Sequence, residues 1–191
     1  MSLSTSLSAT PVSRRLARTI LRPFTKFDIY AVLCSTFFQI VIIILSFSLP
    51  AQEAQFADEP ISSAQEIFLH NLLVFTFWIM GGLTVGMLTI ILALLSSVMT
   101  GIALKSIVEA YGLVSLSAMG HAVLELPAFG IALWIGFRPF FWIVRARFSK
   151  RAAEPLLEFV CRSLLWWIVL GVILLGGAAF WEAAIPVPVR R

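Results

Sequence analysis

The feature that most constrains this chain is a run of 38 residues, 67–104, that contains no Lys, Arg, Asp or Glu. As one α-helix this run would be about 57 Å long, because each residue adds about 1.5 Å. A hydrocarbon core is only about 30 Å thick, so the run must fold back on itself. Three glycines between positions 81 and 86 lie near its middle, and glycine permits the backbone conformations of a tight turn. We therefore expect a helical hairpin, with helices at about 67–80 and 83–104.

The composition indicates an integral membrane protein. Hydrophobic residues make up 60% of the 191-residue chain and charged residues only 13%, whereas soluble domains carry about 25% charged residues. Three further apolar stretches, at about 29–49, 113–137 and 156–181, are long enough to span a bilayer. With the hairpin they predict an all-α, polytopic bundle of five transmembrane helices over residues 28–182, followed by a short tail at 183–191.

The positions of the basic residues predict how the bundle is oriented. Residues 1–27 form a Ser/Thr-rich disordered tip and then an arm whose basic residues share one helical face, which indicates a basic amphipathic segment. A second basic cluster follows the fourth helix. Cytoplasmic loops are enriched in Lys and Arg, so we expect both clusters and the N-terminus in the cytoplasm. The basic residues are Arg14, Arg15, Arg18, Arg22 and Lys26 in the arm, and Arg138, Arg145, Arg147, Lys150 and Arg151 in the cluster.

Several functional classes are not expected. The net charge of +4 is explained by these orientation signals, so we expect the lipid bilayer as a partner and no nucleic acid. The two cysteines, Cys34 and Cys161, lie in different apolar stretches and lack the spacing of a metal or redox motif. The sequence contains no Walker lysine motif, GxSxG elbow or HExxH motif. We therefore expect no cofactor, no metal and no enzymatic activity.

The fourth predicted helix has a polar stretch, 118–130, where an inert membrane helix would be apolar. His121 and Glu125 are four residues apart, so they lie on one face of a helix. Pro127 frees the carbonyl of Val123, which predicts a kink and a polar group that satisfies this oxygen. Ionisable residues inside a membrane helix are rare and mark candidate functional sites. We therefore assign His121, Glu125 and Pro127 to a candidate polar site within the membrane.

The start of the second helix is expected to complete this polar site. His70 and Asn71 lie in its first turns. The predicted orientation places them in the half of the bundle that faces away from the cytoplasm, where they can meet His121 and Glu125. Three uses are open. The side chains can satisfy one another as a polar packing core, carry protons or a ligand, or bind a metal through two i, i+4 Glu–His pairs, one of them Glu66 with His70. The packing core is the simplest reading.

Small residues indicate close helix packing. Gly82, Gly86 and Gly101 lie at intervals typical of helix–helix contacts in membranes, where a missing side chain lets two backbones approach. Contacts within one chain account for these positions, and an interface between two copies of the chain is the alternative.

The order of these motifs resembles the stage II sporulation protein M family. The resemblance comprises F-L-x-N at 68–71, the glycine-rich hairpin at 81–86, a small-residue helix ending near Gly101, and H-x-x-x-E-L-P-A at 121–128. The chain departs from the usual family pattern beside the histidine and in the third helix, at Gly120, Ala122, Ser96 and Ser97.

This resemblance implies a five-helix, multi-pass protein of the prokaryotic plasma membrane without established catalysis. The family's namesake acts as a membrane scaffold for cell-wall hydrolases during engulfment in sporulating bacteria. Short relatives occur beside genes for circular bacteriocin production and immunity, which implies export or maturation. We therefore expect a non-enzymatic scaffold or assembly component, with a transport or export accessory as the alternative. The implied protein partners are a wall hydrolase, or an ABC-type ATPase with an exported peptide.

Overall fold

The structure, a computed structural model, describes residues 19–21, 24–50, 63–112, 119–148 and 155–184. All regular elements in these ranges are helical, and five stretches are long and apolar enough to cross a membrane. The predicted all-α bundle of five spanning helices is thereby confirmed. The predicted disordered tip, most of the basic arm and most of the C-terminal tail lie outside the described residues. The cytoplasmic placement of the N-terminus stays a prediction.

The main elements in the described part of the chain are six α-helices and two 3-10 turns. They are α1 Lys26–Ser46, α2 Ala64–Met80, the 3-10 turn Gly81–Thr84, α3 Met87–Tyr111, a short 3-10 turn at 119–121, α4 Ala122–Phe148, α5 Leu156–Cys161 and α6 Leu164–Ala184. Together α5 and α6 form the fifth apolar stretch, which is interrupted at Ser163, where φ is 56°.

The long charge-free run folds back at its glycines. The 3-10 turn ends at Val85 with φ 57°, and Gly86 follows with φ 84°. Both values lie in the left-handed region, which glycine adopts without the steric cost that other residues meet. The hydroxyl of Thr89 donates to the carbonyl of Trp78 across the hairpin at 2.8 Å, which ties the start of α3 to the end of α2.

The fourth spanning helix is the centre of the bundle. Half of the residues in its most apolar 18-residue stretch are buried, whereas the corresponding share is 33% or less in the other four spans. It packs most extensively against α1 and α6, and also against α2 and the hairpin. The buried core around it contains Phe75, Trp78, Ala128, Ile131, Ala132, Leu133, Trp134, Ile135, Trp167 and Leu175. Its bounds differ from the predicted 113–137, because α4 begins at Ala122 and continues to Phe148.

The reason for the longer α4 is a buried ion pair with α1. Arg138 belongs to the predicted cytoplasmic basic cluster, and its side chain is only 1% exposed. Its Nη2 lies 3.0 Å from Oδ1 of Asp28, and the same oxygen accepts a hydrogen bond from the indole of Trp134 at 3.2 Å. Because the charge is neutralised inside the bundle, the helix does not have to end there. The side of the membrane on which Arg138 lies stays a prediction, as it does for the rest of the basic cluster.

The same arginine also fixes the interruption between α5 and α6. Its Nη1 donates to the carbonyl oxygens of Val160 at 2.9 Å and Arg162 at 2.5 Å. These oxygens lie at the end of α5, where a helix has no backbone donors for its last carbonyls. One guanidinium therefore joins α1, α4 and the α5–α6 break, which only a side chain with several fixed donors can do.

The last residues of the predicted arm belong to the first spanning helix. Thr25 caps α1: its hydroxyl accepts from the backbone N–H of Asp28, and the Asp28 carboxylate accepts from the backbone of Thr25. This reciprocal pair is a capping box, so Lys26 and Phe27 belong to α1. Upstream, the Leu21 carbonyl accepts from the indole of Trp166 at 3.1 Å, which holds the preceding backbone against α6.

Replacing Gly101 by alanine is expected to destabilise the bundle by about 1–3 kcal/mol, the usual cost of forcing an extra group into a packed interior. A Cβ added to Gly101 would lie 2.5 Å from the carbonyl oxygen of Ile43 and 2.6 Å from the Cβ of Ser46, so α3 would have to move away from α1. The unfolding temperature of the full chain in detergent micelles, followed by tryptophan fluorescence, measures this change.

Gly176→Ala is the matched control for this prediction. A Cβ at Gly176 would meet only Phe68 Cε2, at 3.9 Å, and alanine reduces the freedom of the unfolded chain, so we expect a change below about 1 kcal/mol in the stabilising direction. Equal unfolding temperatures for Gly101→Ala and the unchanged chain would show that α1 and α3 do not approach as closely as described.

Candidate functional site

A polar cavity of about 430 Å³ lies at one end of the bundle. The structure brings four of the predicted site residues to it, His70 and Asn71 from α2 and His121 and Glu125 from the start of α4. Among the described residues, the lining consists of Glu66, Ile67, His70, Asn71, His121, Glu125 and Glu182. The cavity opens to the surroundings, because Glu66 and His70 are exposed. The fifth predicted residue, Pro127, does not line it and lies inside α4.

Local sequence signals place the side chains of the cavity. The α2 helix begins after Ser63, whose hydroxyl accepts from the backbone N–H of Glu66 at 3.2 Å, while the Glu66 carboxylate accepts from the backbone of Ser63 at 2.8 Å. This capping box fixes the start of α2 and therefore the positions of His70 and Asn71, one to two turns later. On the other side, His121 is in a short 3-10 turn and Glu125 is in the first turn of α4.

Glu125 is the central group of the cavity. Its Oε1 accepts a hydrogen bond from Nδ2 of Asn71 at 2.5 Å, which joins α4 to α2. Its Oε2 lies 4.0 Å from Nε2 of His121, one helical turn away on the same face. The other ring nitrogen of His121, Nδ1, is buried and has no hydrogen-bond partner among the described residues. The carboxylate is thus held by two helices, while the imidazole keeps one nitrogen unused.

The structure adds Glu182 to the predicted site. Donor atoms of His121, Glu125 and Glu182 all lie within 4.8 Å of one another, which makes these residues a group that could hold a metal ion. The pairing of Glu66 with His70 as a second metal-binding couple does not form. Within the described ranges Glu66 instead caps α2, and neither residue belongs to the group. A signal for Glu182 was present, since it is an acidic residue in an otherwise apolar final helix. The predicted helix ended one residue before it.

A second, smaller cavity adjoins Glu125 on its other side. It has a volume of about 170 Å³ and lies between α1, α3 and α4. Its polar lining consists of Gln39, Ser96, Ser97, Thr100 and Glu125. Gln39 and Ser97 are almost completely buried, and the Gln39 amide donates to the carbonyl of Ser35 at 3.3 Å. Sequence reasoning missed these residues as part of a site, because single Gln and Ser side chains inside an apolar helix are common packing residues.

The predicted packing glycines lie away from the polar cavity. Gly82 and Gly86 are in the hairpin, close to Gly136 and Phe137 of α4, and Gly101 is at the contact between α3 and α1. The polar cavity and the buried Asp28–Arg138 pair are well separated along α4: Glu125 is in its first turn, and Arg138 lies about 20 Å further along at about 1.5 Å per residue. Between them the buried side chains of α4 are apolar, and they include Ala128, Ile131, Ala132, Leu133, Trp134 and Ile135.

Comparison with known proteins identifies the family of this chain. The family model described as Stage II sporulation protein M matches residues 29–186, which include every residue of the polar cavity. Neither a curated protein nor a solved structure matches the chain. The family match extends beyond the stretch that carries the motif resemblance and covers the five apolar spans almost completely. This multi-pass membrane protein therefore belongs to the stage II sporulation protein M family.

Proposed function

We propose that the chain is a non-enzymatic scaffold or assembly component in the prokaryotic plasma membrane, which binds a partner protein at the polar cavity. The observation that carries this proposal is the form of that cavity. Its rim residues Glu66 and His70 are exposed, whereas Glu125 at its centre is held in place by Asn71. A polar recess with fixed side chains, open to one side of a membrane bundle, is suited to recognising a polar group of another molecule.

The interior of the bundle favours binding over conduction. Along α4, Glu125 and Arg138 are separated by about 20 Å, at about 1.5 Å per residue. A path for ions or protons through a membrane protein is lined by polar groups or water. The α4 side chains buried between these two residues are apolar, and the lining of the smaller cavity includes neither Asp28 nor Arg138. The described residues thus supply a binding recess at one end rather than a route across the bundle.

The alternative is an export or transport accessory, and the smaller cavity is the observation that favours it. Polar side chains of α1 and α3 face this cavity beside Glu125, so the carboxylate could pass a proton or a ligand group from the open cavity into the bundle. In that case the working partners would be an ATPase subunit and an exported peptide instead of a wall hydrolase.

Affinity purification of the full chain from its native membranes separates the two proposals. Mild detergent and brief cross-linking preserve partners that contact the cavity, and mass spectrometry identifies them. A scaffold is expected to recover a cell-wall hydrolase reproducibly, whereas recovery of an ATPase subunit or an exported peptide would support the accessory role and contradict the scaffold. Purification from membranes that contain an unrelated multi-pass protein with the same tag controls for nonspecific recovery.

A further inference from the structure

The polar cavity has an excess of acidic groups. Its described lining contains three carboxylates, two imidazoles and one amide, and none of these residues is Lys or Arg. Lys105 is engaged elsewhere, since its Nζ donates to the carbonyl of Leu49 at 2.7 Å and lies 3.8 Å from Glu109. Arg138 is paired with Asp28, about 20 Å further along α4 than Glu125. The basic group beside Glu125 is the imidazole of His121, whose Nε2 lies 4.0 Å from Oε2 of the carboxylate. Partly buried carboxylates that have no Lys or Arg partner are costly, and a bound cation is a usual way to neutralise them.

Three of these groups have the chemistry of metal ligands. Donor atoms of His121, Glu125 and Glu182 lie within 4.8 Å of one another. A metal ion with ligand distances of about 2.0–2.2 Å requires its donor atoms to be about 3–4 Å apart. Small side-chain rotations would bring these three donor atoms to that separation. All three side chains are partly buried, so they lie at the base of the cavity rather than on an open surface.

The hydrogen bond from Asn71 and a buried ring nitrogen of His121 are two further features of this group. Asn71 donates to one oxygen of Glu125 and so orients the carboxylate, as outer hydrogen-bond partners do in metal sites. The buried Nδ1 of His121 has no partner among the described residues, which leaves this imidazole without the hydrogen bond that a packing histidine normally makes.

We propose that His121, Glu125 and Glu182 bind a divalent transition-metal cation that links α4 to α6. One imidazole nitrogen and two carboxylate oxygens are ligands that Zn²⁺ accepts, and three protein ligands leave at least one coordination position facing the cavity. Water or a ligand from a partner can fill that position. The site does not depend on the scaffold role, because it follows from the donor atoms and the charge of the cavity alone.

Zinc titration of the purified full chain tests this site. The chain is prepared in detergent micelles, stripped of metal with a chelator that is then removed, and titrated with Zn²⁺ in competition with a chromophoric chelator. We expect one Zn²⁺ per chain. Glu182→Gln and His121→Gln are each expected to weaken binding by at least about 10–100-fold, because each removes one of three ligands. The visible spectrum of bound Co²⁺ reports the loss of the nitrogen ligand in His121→Gln independently of affinity.

Glu66→Gln is the matched control, because Glu66 is a carboxylate of the same cavity outside the ligand group. We expect its Zn²⁺ affinity to stay within about threefold of the unchanged chain, which is below the loss caused by an outer-shell change. The absence of saturable Zn²⁺ binding to the unchanged chain would overturn the proposal. So would equal losses in Glu66→Gln and Glu182→Gln, which would indicate diffuse attraction. Unfolding temperatures of all variants show whether a loss reflects misfolding, and His121→Gln decides the question if Glu182→Gln is unfolded.

Discussion

Replacing Arg138 by methionine is expected to lower the free energy of unfolding by about 3–5 kcal/mol, the typical cost of leaving one member of a buried ion pair without its partner. The methionine fills most of the volume of the arginine stem, but Asp28 then keeps a buried charge. The carbonyl oxygens of Val160 and Arg162 lose a donor as well. For a chain of this size we expect the unfolding temperature to fall by on the order of 10 °C.

The partner residue allows a second, independent test of the same contact. In the double variant Asp28→Asn with Arg138→Met, no buried charge remains at this position, so we expect it to be more stable than Arg138→Met alone. Thermal unfolding of the single and double variants in detergent micelles measures the coupling between the two residues.

Arg147→Met is the control for this prediction. Arg147 is an exposed arginine near the end of the same helix, and a surface change of this kind is expected to alter stability by less than about 0.5 kcal/mol. Similar unfolding temperatures for Arg138→Met and Arg147→Met would contradict the burial and pairing of Arg138.

Replacing Glu125 by glutamine is expected to have the opposite pattern, with stability retained and partner binding lost. Glutamine has nearly the same shape and can still accept the hydrogen bond from Asn71. It also removes one of two neighbouring carboxylates, Glu125 and Glu182, so the unfolding temperature of the metal-free chain should be unchanged or slightly higher. Partner binding is expected to weaken by at least about tenfold, or about 1.4 kcal/mol, because the charge at the centre of the recess is lost.

Leu126→Ala, one position further along α4, controls for changes in helix packing. This partly buried apolar residue lines the smaller cavity and not the polar one, so its truncation should lower stability without a specific loss of partner binding. An unfolding temperature for Glu125→Gln as low as that of Arg138→Met would mean that Glu125 serves to hold the bundle together.

Much of the fold could be predicted because membrane thickness converts apolar length directly into helix count. The charge-free run at 67–104 was too long for one span and contained glycines where the chain turns back. The extension of α4 beyond Arg138 could not be predicted in this way. An arginine after an apolar stretch normally marks the end of a span, and its partner Asp28 lies 110 residues earlier. No local pattern connects the two residues.

Part of the polar cavity could be predicted from the sequence. The four-residue spacing of His121 and Glu125 and the early position of Asn71 in α2 indicated that these side chains could meet, and the structure places them around one cavity. The Ser-x-x-Glu pattern that begins at Ser63 is typical of a capping box, so it indicated that the Glu66 carboxylate caps α2. The approach of Glu182 could not be predicted, because it depends on how α6 packs against α4.

Two separate positions along α4 have different roles in this account: the Asp28–Arg138 pair stabilises the bundle, and the cavity around Glu125 binds a partner. The most direct test is the amount of partner recovered per folded chain from native membranes, compared between Glu125→Gln and Arg138→Met. We expect this ratio to fall by at least about tenfold in Glu125→Gln. In Arg138→Met it should stay near that of the unchanged chain, although less folded protein accumulates. An unchanged ratio in Glu125→Gln, or an equal fall in both variants, would contradict the account.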